Sequence, residues 1–453
     1  MSEKIAGNSP PTEEMRRELG VFGAMMMGLG SILGTGVFVS IGVAAGIAGP
    51  SVVLAIVVAA VLATCNALNS AQLAASHPKS GGTYEYGYTY LTPALGFSAG
   101  WLFLCAKSAS AATAALGFAG YMLHLLGADI ARTEAFLLPL AVLVIIVLTL
   151  LVAGGVKRSN LANILIVSVT LGALCLFILA GLPSLLNPPD SYWRPFWGVE
   201  SGGAVPGFLQ ATALMFVAYT GYGRIATMGE EVREPRKTIP RAIILTVIVS
   251  ALFYILVGVV SIGVVGAPAL GSLTESQAAP LEIVSRAFGL PGVPVLVALG
   301  AMTAMLGVLL NLILGLSRVL LAMGRRRDMP ILFARRDRKN QSPVAAIIGV
   351  GVIILGLTLI GNIRITWSFS AFTVLLYYAL TNLAALRIPK EDRLYPAFVA
   401  WAGLGMCLFL AFWVDWQIWL VGLGILGAGL VWHGIARRLA AANPTTEAPE
   451  NAP

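Results

Sequence analysis

Gly28-Leu29-Gly30-Ser31-Ile32-Leu33-Gly34-Thr35-Gly36 lies inside the first long apolar run of this 453-residue chain. Glycine costs a helix about 1 kcal/mol per residue relative to alanine, so a run holding Gly28, Gly30, Gly34 and Gly36 is where a membrane helix breaks. A second such stretch, Ala218-Tyr219-Thr220-Gly221-Tyr222-Gly223, lies inside the sixth apolar run, which crosses in the opposite direction. Interrupted helices at matching positions of two halves point to a ligand site at the bilayer midplane. Membrane helices also use glycine for close packing, and this chain has 50 of them. One stretch alone reads as packing; two at repeat-related positions read as a site.

Composition sets the class. Apolar residues make up 58% of the chain and charged residues 11%, with a mean hydropathy of +0.86. Soluble domains carry about 25% charged residues, so this is an integral membrane protein. Unalternating runs of about 20 apolar residues span a hydrocarbon core as helices, not as barrel strands. The polar stretch 1–19 lacks the pattern of a cleaved signal. Cys65, Cys105, Cys175 and Cys407 all fall in apolar runs and read as small buried residues, with no disulfide or metal spacing.

Twelve spans are expected near 20–44, 51–75, 97–123, 135–154, 161–182, 206–228, 241–266, 292–323, 344–361, 364–386, 397–414 and 416–436. An even count puts both termini on one side. That side collects Lys79, Lys157, Arg158, Arg233, Arg236, Lys237, Arg241, the arginines from Arg325 to Arg338, and Arg437 with Arg438. The opposite loops hold only Arg132, Arg194, Arg286 and Arg364. The positive-inside rule makes the basic side cytoplasmic and explains the pI near 9.4 without nucleic acid. The expected organisation is a cytoplasmic segment 1–19, a transport core 20–396, two added spans in 397–438, and a disordered cytoplasmic tail 439–453.

The motifs themselves carry a likeness. Gly30-Ser31-Ile32-Leu33-Gly34-Thr35-Gly36-Val37-Phe38 comes first, and Pro78-Lys79-Ser80-Gly81-Gly82-Thr83-Tyr84-Glu85-Tyr86 enters span three. Ala218-Tyr219-Thr220-Gly221-Tyr222 is followed by Glu230-Glu231-Val232-Arg233-Glu234-Pro235, and Arg327-Asp328-Met329-Pro330 closes span eight. In this order, from about Leu19 to Arg393, the blocks resemble the amino acid–polyamine–organocation (APC) superfamily. The resemblance implies an all-α integral membrane fold of twelve transmembrane helices. These form a LeuT-like five-plus-five inverted repeat with helices 1 and 6 broken, working by alternating access.

A helix break frees backbone groups. Amides of Gly34, Thr35 and Gly36, opening a half-helix, carry partial positive charge and suit a carboxylate. Carbonyls of Gly30, Ser31 and Ile32, with those from Val217 through Ala218 and Tyr219 to Thr220, suit an ammonium group. A zwitterion is matched at both ends, and the resemblance puts α-carboxyl and α-amino contacts at these positions. Tyr219 and Tyr222 flank the second break, either as gates over a substrate or as buried tyrosines with satisfied hydroxyls. Ser31 and Thr35 either line the pocket or bond their own backbone.

Lys107 is the sharpest single residue. It lies about ten residues, or roughly 15 Å, into span three, close to the midplane. An ionisable group there costs roughly 3 kcal/mol and is functional by default, the alternative being a structural lysine bonded to carbonyls. Proton-coupled relatives carry a lysine midway along span five, and alignment on Asn163 and Leu176-Phe177 puts Thr170 at that place. Lys107 is therefore the candidate coupling group, supplying from span three the charge that Thr170 lacks. Relatives often place an acid after the span-six aromatic; Gly223 and Arg224 follow Tyr222 here, which argues against cationic substrates.

Asn66, Asn69 and Gln72 share one face of span two and read as interhelical hydrogen-bond glue, as do Asn311 and Asn382. Glu230 and Glu231 with Arg233, Arg236 and Arg241 suggest ion pairs in the loop after span six. His77, His124 and His433 lie at span ends without metal spacing, and no phosphate loop, triad or haem motif occurs. No cofactor is expected, and paired acid–base residues for an enzyme are wanting. The expected function is a plasma-membrane, multi-pass permease of small neutral amino acids, by proton symport or exchange. An inorganic-cation or organic-amine carrier on the same fold, or a non-transporting amino-acid sensor, are the alternatives. The expected partners are the amino-acid substrate, protons and the lipid bilayer.

Overall fold

The computed structural model describes residues 20–77, 81–155, 160–186, 189–197, 203–226, 232–335 and 342–442. The terminal segments, Lys79, Lys157, Arg158, Glu230 and Glu231 lie outside them. Among the described residues the chain is helical and contains no β-strand. In order the helices are α1 (Val21–Ile32), α2 (Ile41–Ala48), α3 (Val52–Ser76), α4 (Thr83–Tyr90), α5 (Pro93–Leu125) and α6 (Ile130–Ala153). They continue with α7 (Asn160–Gly181), α8 (Ala204–Tyr219), α9 (Gly223–Ala226), α10 (Pro235–Val265), α11 (Ala267–Gln277) and α12 (Pro280–Arg286). The last are α13 (Val293–Arg325), α14 (Val344–Thr358), α15 (Ile363–Ala385), α16 (Ala397–Ala411) and α17 (Trp416–Ala442).

Nine helical stretches among the described residues are long and apolar enough to cross a membrane. One of them, Gly36–Ser76, runs through parts of two expected spans, and Val21–Ile32, Val344–Thr358 and Ala397–Ala411 are apolar but shorter. The shortness has visible causes. The first break cuts α1 off at 12 residues. α14 and α16 have 15 residues each, about 22 Å of helix against a core of about 30 Å.

Burial separates inside from outside. In α5 the most apolar window is 89% buried and in α15 83%, whereas α6 is 22% and α17 17% buried. α5 and α15 are thus the central pillars, packed on each other, with α13 against α5 and α7. α6 and α17 present Leu143, Leu150, Val431 and Ile435 outward, as lipid-facing helices do.

Helix starts follow capping chemistry. The Thr92 hydroxyl accepts from the Leu95 amide at 3.3 Å, with Pro93 opening α5. Asp129 and Asn362 cap α6 and α15 in the same way. The polar face of α3 does glue the bundle. Gln72 Nε2 donates to Asn69 Oδ1 at 3.0 Å, and Asn69 Nδ2 to Asn382 Oδ1 at 2.7 Å. Asn382 Nδ2 then donates to Asn66 Oδ1 at 2.7 Å, tying α3 to α15. The cysteines depart from expectation: Cys407 alone is buried, Cys65 and Cys105 are partly so, and Cys175 is exposed. Cys175 lies in α7, where the apolar surroundings are outside the protein, not within it.

Candidate functional site

Both glycine-rich stretches break, and the two breaks meet. α1 stops at Ile32; Leu33 turns extended (φ −76°, ψ 91°), and the chain resumes at Thr35 through a wide helical turn, Gly36–Ser40. α8 stops at Tyr219, tightens over Thr220–Tyr222, and resumes as α9. Gly221 lies directly on the carbonyl of Ser31, where a Cβ would collide with backbone. At Gly36 a Cβ would come within 2.8 Å of Ala218 Cβ and 2.6 Å of the Tyr254 hydroxyl. The close-packing reading holds for both stretches: the glycines let the breaks touch.

Tyr254 of α10 fastens them together. Its hydroxyl lies 2.9 Å from the Ile32 carbonyl and 3.0 Å from the Ala218 carbonyl, one from each break. Its ring lies against that of Tyr219, with centroids 5.0 Å apart. Sequence reasoning missed this residue, although a lone tyrosine within the aliphatic run of α10 was a usable signal.

Lys107 reaches the second break. It is 8% exposed, and its Nζ donates to Thr220 Oγ1 at 2.6 Å. The Thr220 hydroxyl donates in turn to the Val217 carbonyl at 2.7 Å, and Tyr378 of α15 donates to the Thr220 carbonyl at 3.3 Å. Among the described residues no carboxylate lies within ion-pair distance of Lys107. The lysine therefore bonds a hydroxyl of the broken segment, not the carbonyls of a structural reading. One turn and two turns along α5, Ser110 pairs with Ser370 at 2.8 Å and Thr113 with Thr366 at 2.9 Å. Lys107 thus heads a polar seam between α5 and α15.

The other predicted residues divide. Thr35, 4% exposed, has a hydroxyl with no hydrogen-bond partner among the described residues. A buried orphan of this kind costs about 1–3 kcal/mol. Gly34 packs on Val308 of α13, and Gly30 and Ile32 are buried within α1. Ser31 bonds the Met27 carbonyl at 3.1 Å, its own helix. Val217, Ala218 and Thr220 already receive protein donors on their carbonyls. Tyr219 donates to the Ile56 carbonyl at 3.3 Å, which favours the buried-tyrosine reading. Tyr222 is buried against Tyr378, with centroids 5.5 Å apart. Thr170 bonds the Ile166 carbonyl of its own helix, and no contact joins it to Lys107. Asn163 does touch the site's first helix, donating to the Met26 carbonyl at 3.1 Å. Among the described residues no cluster of three metal-ligating side chains occurs.

The arrangement presents an open hydroxyl at one break and a lysine bonded to a hydroxyl at the other. Residues 23–432 match the model of a family described as amino acid permease. An uncharacterized transporter of Mycobacterium tuberculosis is 39% identical over 425 residues, covering 94% of this chain and 92% of its own. The branched-chain amino acid permease BcaP of Bacillus subtilis is 29% identical over 349 residues, 74% of this chain and 72% of its own. The methylthioribose transporter of the same organism is 27% identical over 437 residues, 90% and 92% of the two chains.

Proposed function

Since the chain belongs to the amino acid permease family of the APC superfamily, we propose that this membrane transporter carries small neutral amino acids by alternating access. In this reading α1 with α2, and α8 with α9, are the broken first and sixth of twelve crossings in a five-plus-five inverted repeat. The basic loops support an orientation with both termini cytoplasmic, and the plasma membrane is the membrane proposed. The substrate carboxylate meets the amides and the open hydroxyl at Gly34, Thr35 and Gly36; its ammonium meets carbonyls from Gly30 to Ile32 and from Val217 to Thr220. Those carbonyls keep a second lone pair beside the protein donors that already occupy the first. Tyr222 serves as the gate, and Tyr219 backs it.

The observation that carries the reading is the Lys107 ammonium on the Thr220 hydroxyl, inside the second break. It supports proton symport or exchange: a lone buried lysine on α5, bonded to the broken segment, links its proton to the state of the break. Thr170 contributes space and no charge. The chain's likeness to a methylthioribose transporter supports a second reading, a neutral organic solute other than an amino acid on the same scaffold.

The test is counterflow uptake in proteoliposomes across labelled amino acids and neutral thio-sugars, with and without a proton gradient. Saturable uptake of small neutral amino acids, reduced about a hundredfold by Lys107→Ala, is the expected result. That reduction corresponds to about 3 kcal/mol, the upper worth of a charged hydrogen bond. Uptake of thio-sugars alone selects the second reading. Binding without any counterflow makes the protein a sensor.

A further inference from the structure

A second polar centre lies at the arginine-rich end of the molecule, remote from the breaks in sequence. α13 ends at Arg325, and Arg327 takes a left-handed backbone (φ 61°) that folds Asp328 back beneath the helix. The Met323 carbonyl accepts from the amides of Asp328 (2.9 Å) and Met329 (3.2 Å), so the helix end is closed by its own chain. The Asp328 carboxylate is then held by tyrosine hydroxyls and faces a histidine. Oδ2 accepts from Tyr84 at 2.7 Å and Tyr88 at 2.6 Å, Oδ1 lies 3.2 Å from His433 Nδ1, and the backbone carbonyl accepts from the Trp432 indole at 2.9 Å.

Around this carboxylate is a cavity of about 310 Å³ lined by Tyr88, Arg326, Arg327, Asp328 and Arg437. Its size falls at the lower end of ligand pockets, about 300–1,000 Å³. Arg326 is committed: it ion-pairs with Glu85 and lies over the Tyr88 ring, 4.4 Å from the centroid. Arg437 has neither a carboxylate within ion-pair distance nor a hydrogen bond among the described residues. Arg437 therefore brings to the cavity a guanidinium that no carboxylate among the described residues pairs. Guanidinium forks favour phosphate, which they bind bidentately.

Depth identifies the source of that phosphate. On α17 the exposed apolar residues Val431 and Ile435 continue past Arg437 to Leu439, so the guanidinium lies level with the edge of the hydrocarbon. Ile331 and Leu332, three and four residues beyond Asp328, are exposed as well. The exposed Trp432, whose indole N–H is satisfied by Asp328, is the kind of residue that marks a headgroup boundary. We propose that this cavity binds the phosphate of an anionic phospholipid, clamping α17 to the end of α13 and to α4. Basic pockets between helices at this depth are built for such headgroups.

The experiment uses the purified full chain in detergent and reads thermal unfolding during titration with phosphatidylglycerol, phosphatidylcholine or inorganic phosphate. Because it reads binding, its outcome is independent of whether amino acids are transported. The expected result is a saturable rise in melting temperature with phosphatidylglycerol and none with phosphatidylcholine. Arg437→Gln, which breaks no hydrogen bond or ion pair among the described residues, should raise the half-saturating lipid concentration about tenfold. Arg438→Gln, outside the cavity, should leave it unchanged, and Arg437→Lys should restore part of the affinity. A shift with inorganic phosphate equal to that with lipid, and lost in Arg437→Gln, supports the phosphate site but makes its ligand soluble. Equal shifts with both lipids, or an unaltered titration in Arg437→Gln, overturn the proposal.

Discussion

The two helix breaks look alike in sequence and differ in their hydrogen bonds. At the second break the protein supplies its own partners: Thr220 is bonded through both its hydroxyl and its carbonyl, by Lys107, Val217 and Tyr378. At the first, the Thr35 hydroxyl is buried and left open. The second break keeps an orphan of its own, the buried Tyr222 hydroxyl, so the contrast lies between the two threonines: Thr220 is bonded throughout, whereas the Thr35 hydroxyl carries the cost of an unmade bond. The lesson is that glycine content announces a break, while the bonding around it sets how firmly each threonine is held.

The comparison is most severely tested at Gly221. Gly221→Ala drives a methyl group into the Ser31 backbone, so the two breaks are forced apart. A loss of about 3 kcal/mol is expected, read as a lowered melting temperature and reduced folded yield. An unchanged melting temperature would mean that the breaks do not need to touch. Tyr254→Phe is milder: two buried carbonyls, Ile32 and Ala218, lose their shared donor, at a cost of about 1–2 kcal/mol in the same measurement. Thr35→Val sharpens the contrast because its two effects have opposite signs. Removing the orphan hydroxyl should stabilise the substrate-free protein by about 1 kcal/mol while weakening half-saturation for substrate in counterflow. The equivalent Thr220→Val change should destabilise, since it strands Lys107.

Much of this was legible in the sequence, for reasons that differ residue by residue. Gly34, Gly36 and Gly221 declare themselves because no other residue tolerates so close a backbone approach, and Lys107 because a charge in an apolar run has few explanations. The amides of Asn66, Asn69 and Gln72 share a helix face, so their interhelical role could be read from spacing. Tyr254, Tyr378 and the Asp328–His433 pair could not. Their partners lie more than thirty residues away along the chain, on helices whose relative rotation no local pattern encodes. His433 in particular reads as an unremarkable end-of-span residue until α17 is seen against α13. Thr170 illustrates the reverse: alignment marked its position, but only the structure shows its hydroxyl spent on Ile166.

The amide row between α3 and α15 has a direction. Gln72 donates to Asn69, Asn69 to Asn382, Asn382 to Asn66, and Asn66 to the Leu62 carbonyl. Each side chain gives at one end and receives at the other, like teeth of matched gears. Turning any one of them over sets like against like at its neighbours, and the backbone groups at the two ends, the Leu62 carbonyl and the Tyr395 amide, fix the direction of the whole row. α3 and α15 are therefore indexed: they cannot slip past each other by a partial step. The interrupted stretches at the glycines have no such row to hold them in step.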